Sequence, residues 1–182
     1  MPITSIALID VTTKTKICFI VDKSKEIQET NQDGKLIIPC GSEKELIKRF
    51  LDRLEELDPT IIAGWNSAYF DIPYLYFRIK QVMGEQEVLR LSPIHKIDYR
   101  DFNGEHQIII GGVNHLDYML LHKKYIMKEE PSYKLGDIGL KYVNLEKIEY
   151  EGNLNTLFKS DLNKFIDYKD RKSTRLNSSH IT

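Results

Sequence analysis

A layered α/β or α+β domain is the fold class this sequence predicts, and three observations predict it. Two β-rich runs, Ile6-Ala7-Leu8-Ile9 and Lys16-Ile17-Cys18-Phe19-Ile20-Val21, flank a polar segment. A later segment carries apolar residues at helical spacing with charges opposite. An apolar strand-like stretch then precedes a helix opening at Asp71-Ile72-Pro73.

The elements follow in order. The segment Asp10-Val11-Thr12-Thr13-Lys14 turns the first two runs into a hairpin. Asp33-Gly34 is a turn signal ahead of Lys35-Leu36-Ile37-Ile38. Ser42 and Glu45 form a capping box. Behind it Leu46, Ile47, Phe50, Leu51, Leu54 and Leu57 share one helical face, and Asp58-Pro59 stops the helix. Thr60 to Trp65 reads as a buried strand. Asp71 then caps a second helix through about Val82, with Pro73 in its first turn. His106 to Ile110 is another strand, and Asp117 to about Met127 a helix with Asp117 as its N-cap. Ser132 caps a short helix to about Val143. Gly152 breaks the chain, and Ser160 caps a last helix with Leu162, Phe165 and Ile166 inward.

Composition narrows the class without naming a chemistry. The chain has 182 residues, 41% apolar and 29% charged, which suits one domain with a real core. Lys and Arg number 26 against 27 Asp and Glu, so net charge gives no signal for nucleic acid. No apolar run approaches the roughly 20 residues of a membrane helix, so no bilayer crossing is expected. No secretory signal precedes Ile6. Cys18 and Cys40 are too few for a disulfide framework, and a reducing cytoplasm is the simple reading.

The last residues differ from the rest. Asp170 to Thr182, DRKSTRLNSSHIT, is polar with almost no apolar period, the pattern of a disordered tail. It also resembles the in-frame translation of a common sequencing adapter. The expected domain therefore spans residues 1–169, with 170–182 a non-native tail, and the natural chain would run on past residue 169.

The segment richest in chemistry is Thr60 to Phe77. A strand ends in Gly64-Trp65-Asn66, a turn follows, and Phe70-Asp71 begins a helix. That order brings Asn66 and Asp71 to the C-terminal end of the strand, where α/β sheets bind ligands. A carboxylate there suits a hard divalent cation. The plain alternative makes Asp71 an N-cap and Asn66 a turn residue. Weaker candidates are the acid/His set Asp98, Asp101, Glu105 and His106, read as a solvated loop. His115, Asp117 and His122 are placed at a helix end. Lys123, Lys124 and Lys128 are basic positions that could meet phosphate.

Asn66-Ser67-Ala68-Tyr69-Phe70-Asp71 resembles the second exonuclease motif of family B DNA polymerases, N-x-x-x-F/Y-D. Leu116-Asp117-Tyr118, Pro131-Ser132-Tyr133-Lys134-Leu135 and Phe165-Ile166-Asp167-Tyr168 follow in the order of the tailed-phage branch, so the likeness covers about residues 2–169. It implies a ribonuclease-H-like, DnaQ-like mixed sheet flanked by helices. It also implies the 3′→5′ proofreading exonuclease domain of a polymerase, in the cytoplasm of the host if the parent is viral. The implied partners are a single-stranded DNA 3′ end and the polymerase domain of the parent chain. The implied cofactors are two Mg²⁺ or Mn²⁺ ions, one activating water and one stabilising the leaving oxygen. By motif, Asp71 is a metal ligand, Asn66 positions that carboxylate or the substrate, and Tyr168 is the third-motif tyrosine near the attacking water. Phe70 and Trp65 are aromatic faces for frayed bases, with core burial the favoured role of both.

The departures are as informative. No Asp-x-Glu first motif is present, so the first strand and its two ligands are expected upstream of Met1. Asp10 is read as a hairpin-turn residue. Lys172 stands where the third motif has its Asp. Of four carboxylates only Asp71 remains, and the chain is expected to be inactive although its family is enzymatic. The alternatives are a non-catalytic nucleic-acid-binding module of the same fold, or an intact divergent nuclease using Asp10 and Asp71.

Overall fold

The computed structural model describes residues 1–102, 105–126, 129–144 and 164. Strands β1 (Ser5–Asp10), β2 (Thr15–Val21), β3 (Thr30–Gln32) and β4 (Lys35–Cys40) come first, then helix α1 (Glu43–Leu57). Strand β5 (Ile61–Gly64) leads to α2 (Asp71–Met83), the single turn α3 (Glu85–Val88) and a 3-10 turn at Leu89–Leu91. Strands β6 (Ile97–Phe102), β7 (Glu105–Ile110) and β8 (Asn114–Asp117) precede α4 (Tyr118–Tyr125) and α5 (Leu135–Val143). One sheet has the order β1-β2-β4-β3, while β5 pairs with β8 and β6 with β7. Parallel and antiparallel pairs interleaved with helices make this a mixed α/β fold, as expected.

The chain divides into two compact units. The first holds Met1–Ile6, Phe19–Gln28 and Pro39–Glu129. Its core is the apolar face of α1, where Leu46, Ile47 and Leu51 are fully buried with Phe19 and Ile20 of β2. Phe19 meets Phe50 edge-to-face, with ring centroids 6.0 Å apart. The capping box forms: the Ser42 hydroxyl accepts the Glu45 N–H at 3.2 Å, and the Glu45 carboxylate accepts the Gly41 N–H at 2.8 Å. Asp58 ends α1 in the left-handed region with φ 41. Two ion-pair clusters tie later elements to this helix. Arg78 of α2 donates through two nitrogens to Glu43, each at 2.7 Å, while Glu43 also accepts the Ile3 N–H. Arg90 donates to Asp52, Glu55 and Glu87.

The second unit holds Ala7–Cys18, Glu29–Ile38 and the described residues from Glu130 onward. Its β3-β4 hairpin turns at Asp33 (φ 52) and Gly34 (φ 71), both in the left-handed region as a type I′ loop demands. The Gly34 carbonyl also accepts the Lys16 N–H at 2.8 Å. The buried Glu130 carboxylate accepts both from Lys141 Nζ at 2.7 Å and from the Tyr142 hydroxyl at 2.6 Å.

Four expectations change. β5 is not buried: Ile61 is 56% exposed, because among the described residues the strand has β8 as its one pairing neighbour. Asp71 is the first helical residue of α2, and the N-cap is Phe70, which makes no side-chain capping bond. Asp98 and Asp101 lie on β6, an unforeseen strand paired antiparallel with β7, and Asp101 stands opposite His106. α5 starts at Leu135 rather than after Ser132, whose hydroxyl closes a local turn by accepting the Lys134 N–H. The expectations for residues 152, 160, 162, 165 and 166 lie outside the described residues, as does the tail.

Candidate functional site

Strand β5 runs parallel to β8 with Gly64 opposite Asp117, so the C-terminal ends of both strands meet at one edge. Parallel neighbours need a long crossover, which here carries α2, the β6-β7 hairpin and the turns between. The segment leaving β5 must reverse within six residues to start α2. Asn66 makes that reversal, with φ 57, a conformation Asn tolerates better than most residues. The turn closes through the Phe70 N–H on the Asn66 carbonyl (3.2 Å) and the Ile72 N–H on the Ser67 carbonyl (2.9 Å).

Asp71 therefore stands in the first turn of α2, exposed, at the edge where two parallel strands end. A carboxylate at a helix N-terminus is favoured by the helix dipole. Phe70, expected in the core together with Trp65, is not buried. It is 64% exposed and stacks on Tyr74 with centroids 6.3 Å apart and planes within 6°. Trp65 is half-buried and meets His122 edge-to-face at 5.8 Å.

The groups that hold the turn come from β8, a strand the local sequence did not announce. Asp117 is 6% exposed. Its Oδ1 accepts the N–H of Asn66 at 3.0 Å and that of Met119 at 2.9 Å, and its Oδ2 accepts the N–H of Ala68 at 2.9 Å. The expected capping of α4 by Asp117 is present in the Met119 and Leu120 bonds. Two residues earlier on the same strand face, His115 Nε2 lies 2.8 Å from the buried Ser67 hydroxyl. Burial pushes the His115 imidazole below its ordinary pKa, against the pull of the Asp117 and Asp71 charges. Gly64 is needed where it stands: a Cβ there would lie 2.6 Å from the Ser67 Cβ.

The other candidates separate. Asp10 accepts the Thr12 N–H at 3.0 Å and the Thr13 hydroxyl at 2.6 Å, the bonds of a hairpin-turn residue. His106 Nδ1 lies 2.9 Å from the Tyr99 hydroxyl across the β6-β7 hairpin. Lys123 and Lys124 are exposed in the last turn of α4, where cations complement the dipole. Tyr168 and Lys128 lie outside the described residues. A hard oxygen donor such as Asp71 fits Mg²⁺ or Mn²⁺ in kind. It does not fit in number: among the described residues no group of three or more His, Cys, Asp or Glu side chains is placed to hold a metal. No helix among the described residues is long and apolar enough to cross a membrane.

Residues 2–138 match a family model described as DNA polymerase family B, exonuclease domain. The chain is 36% identical over 140 residues to a DNA-directed DNA polymerase of Escherichia phage RB69, covering 75% of this chain and 16% of that protein. Against the DNA-directed DNA polymerase of Enterobacteria phage T4 it is 29% identical over 147 residues, 79% of this chain and 16% of that protein. A DNA polymerase 1 of Sulfurisphaera ohwakuensis is 27% identical over 176 residues, 93% of this chain and 18% of that protein. The chain thus spans less than a fifth of each of these relatives.

Proposed function

The chain belongs to the exonuclease domain of family B DNA polymerases, and from that premise we propose that its Asp71 edge receives the 3′ end of single-stranded DNA for 3′→5′ proofreading hydrolysis in the parent polymerase. The observation that carries this reading is the placement of Asp71 in the first turn of α2, beside the exposed Phe70–Tyr74 pair, at the ends of two parallel strands. Phosphodiester hydrolysis needs positive charge near a phosphate and a base held still. An exposed carboxylate supplies a ligand for the first, and exposed aromatic faces supply the second.

Exonuclease domains of this family depend on divalent metal. Asp71 is the Mg²⁺ or Mn²⁺ ligand that this chain contributes, Asn66 shapes the turn beneath it, and the third-motif tyrosine of the resemblance is Tyr168, outside the described residues. A metal pair held there in the parent would supply an activated water and positive charge for the leaving oxygen. One carboxylate does not hold such a pair, so the isolated chain is inactive, and Asp71 works with carboxylates beyond those described. Residues 170–182 take no part.

The test uses the isotope-labelled chain. Mn²⁺ should broaden the amide signals of Phe70 to Ile72, and Asp71→Asn should abolish that response while leaving α2 intact. A 3′-labelled oligothymidylate should bind, and Mg²⁺ should not lead to its shortening. Oligonucleotide binding with no Mn²⁺ response at residues 70–72 would favour the non-catalytic binding module. Shortening that Asp71→Asn abolishes would show a complete site and overturn the inactivity.

A further inference from the structure

We infer that Asp117 is a positioning residue: its carboxylate, arriving on β8, grips the backbone of the Asn66–Ala68 turn and so fixes where α2 presents Phe70 and Asp71 to the DNA end. The inference rests on the DNA-end reading of that edge.

Three features of the geometry separate this role from ordinary helix capping. An N-cap needs one oxygen facing the second or third amide of its helix, and Oδ1 meets that need with Met119. Oδ1 also accepts the Asn66 N–H, and Oδ2 is committed to the Ala68 N–H, 49 residues away in sequence. A buried acceptor with both oxygens engaged by backbone donors is a strong, directional tether. The two amides it holds flank Ser67, which His115 grips from the same strand face. The turn is therefore held at three successive residues by one strand, immediately before the helix that carries the site.

The chemistry also says which side chain is required. Asparagine caps helices as well as aspartate does, but has one acceptor oxygen and presents an NH₂ in place of the second. In Asp117→Asn the cap on α4 survives, while the amide NH₂ faces the Ala68 N–H, donor against donor. Asp117→Ser caps with a single oxygen and cannot reach across. Asp117→Asn removes the Ala68 half of the grip, Asp117→Ser removes both halves, and both keep the helix cap.

The experiment compares the unsubstituted chain with Asp117→Asn, Asp117→Ser and the control Ser67→Ala by amide hydrogen exchange and by anisotropy of a 3′-labelled oligothymidylate. The expected result is roughly tenfold or faster exchange at Ala68 in both Asp117 variants, with Met119 protection retained and a melting midpoint lowered no further than in Ser67→Ala. Oligonucleotide affinity should fall several-fold in parallel. A purely structural role would expose the Met119 amide together with the turn and lower affinity equally in Ser67→Ala and in the Asp117 variants, and that outcome overturns the inference. Unchanged Ala68 exchange, or faster exchange with unchanged affinity, overturns it as well. Absence of oligonucleotide binding by the unsubstituted chain overturns the DNA-end reading itself and the positioning role that depends on it.

Discussion

The Ser67 hydroxyl lies 2.8 Å from Nε2 of His115, across 48 residues of sequence, and joins the turn before α2 to strand β8. Ser67 is only 4% exposed, so water does not readily replace the bond. Ser67→Ala should destabilise the chain by about 1–3 kcal/mol, the usual cost of leaving a buried polar group without its partner. Urea unfolding of the two proteins measures it. A change within a few tenths of a kcal/mol would mean that the imidazole finds another partner.

The same imidazole gives a pH dependence with a definite sign. Burial depresses the folded-state pKa of His115, so the unfolded chain binds a proton where the folded chain does not. Stability from this group is fully present above the ordinary histidine value of about 6.5 and is lost as pH falls from there toward the depressed folded value. His115→Gln should therefore narrow the difference in urea midpoint between pH 7.5 and pH 5.5. Equal differences in the two proteins would remove His115 as the cause.

Gly64 and Ser67 are coupled by space. A methyl at Gly64 would sit 2.6 Å from the Ser67 Cβ and 2.7 Å from its hydroxyl oxygen, closer than real contacts allow. Gly64→Ala should cost about 1–3 kcal/mol by overpacking. In Gly64→Ala/Ser67→Gly the clash has no second party, so the two changes should be less damaging together than their sum. A double-mutant cycle in urea should give a coupling of about 0.5–3 kcal/mol, and additivity would show that the turn relaxes freely.

What the sequence announced and what it hid follow from the range of the interactions involved. The Ser42–Glu45 box, the Asp33-Gly34 turn and the Asp58 stop are settled within five residues of chain, and all three formed as expected. β6 stayed hidden because Asp98, Arg100 and Asp101 dilute its apolar alternation, so its pairing with β7 outweighs its own composition. β8 is four residues long and earns its strand geometry from β5, some fifty residues earlier. The turn from Asn66 to Asp71 was legible, because its bonds close within five residues. Asp117 was legible as a helix cap and not as a tether, since the donors it binds on the turn are backbone amides, which no residue type signals. Phe70 was expected inside because large aromatics usually are, yet at the N-cap of α2 it is exposed while Ile72 and Ile79 supply the buried apolar residues of that helix.

That exposure makes Phe70 separable from the fold. Its ring touches Tyr74 in a surface stack, and at 64% exposure it contributes little buried area. Phe70→Ala should leave unfolding free energy within about 0.5 kcal/mol of the unsubstituted chain, because this exposed N-cap side chain makes no capping bond and fills no core. On the DNA-end reading the same ring stacks on a terminal base. Losing one such contact costs about 1–3 kcal/mol, so oligothymidylate affinity should fall roughly 5- to 150-fold. Anisotropy titrations beside urea curves separate the two effects. If affinity and stability fall together, Phe70 is a structural residue; if neither moves, the Phe70–Tyr74 stack is not where bases rest.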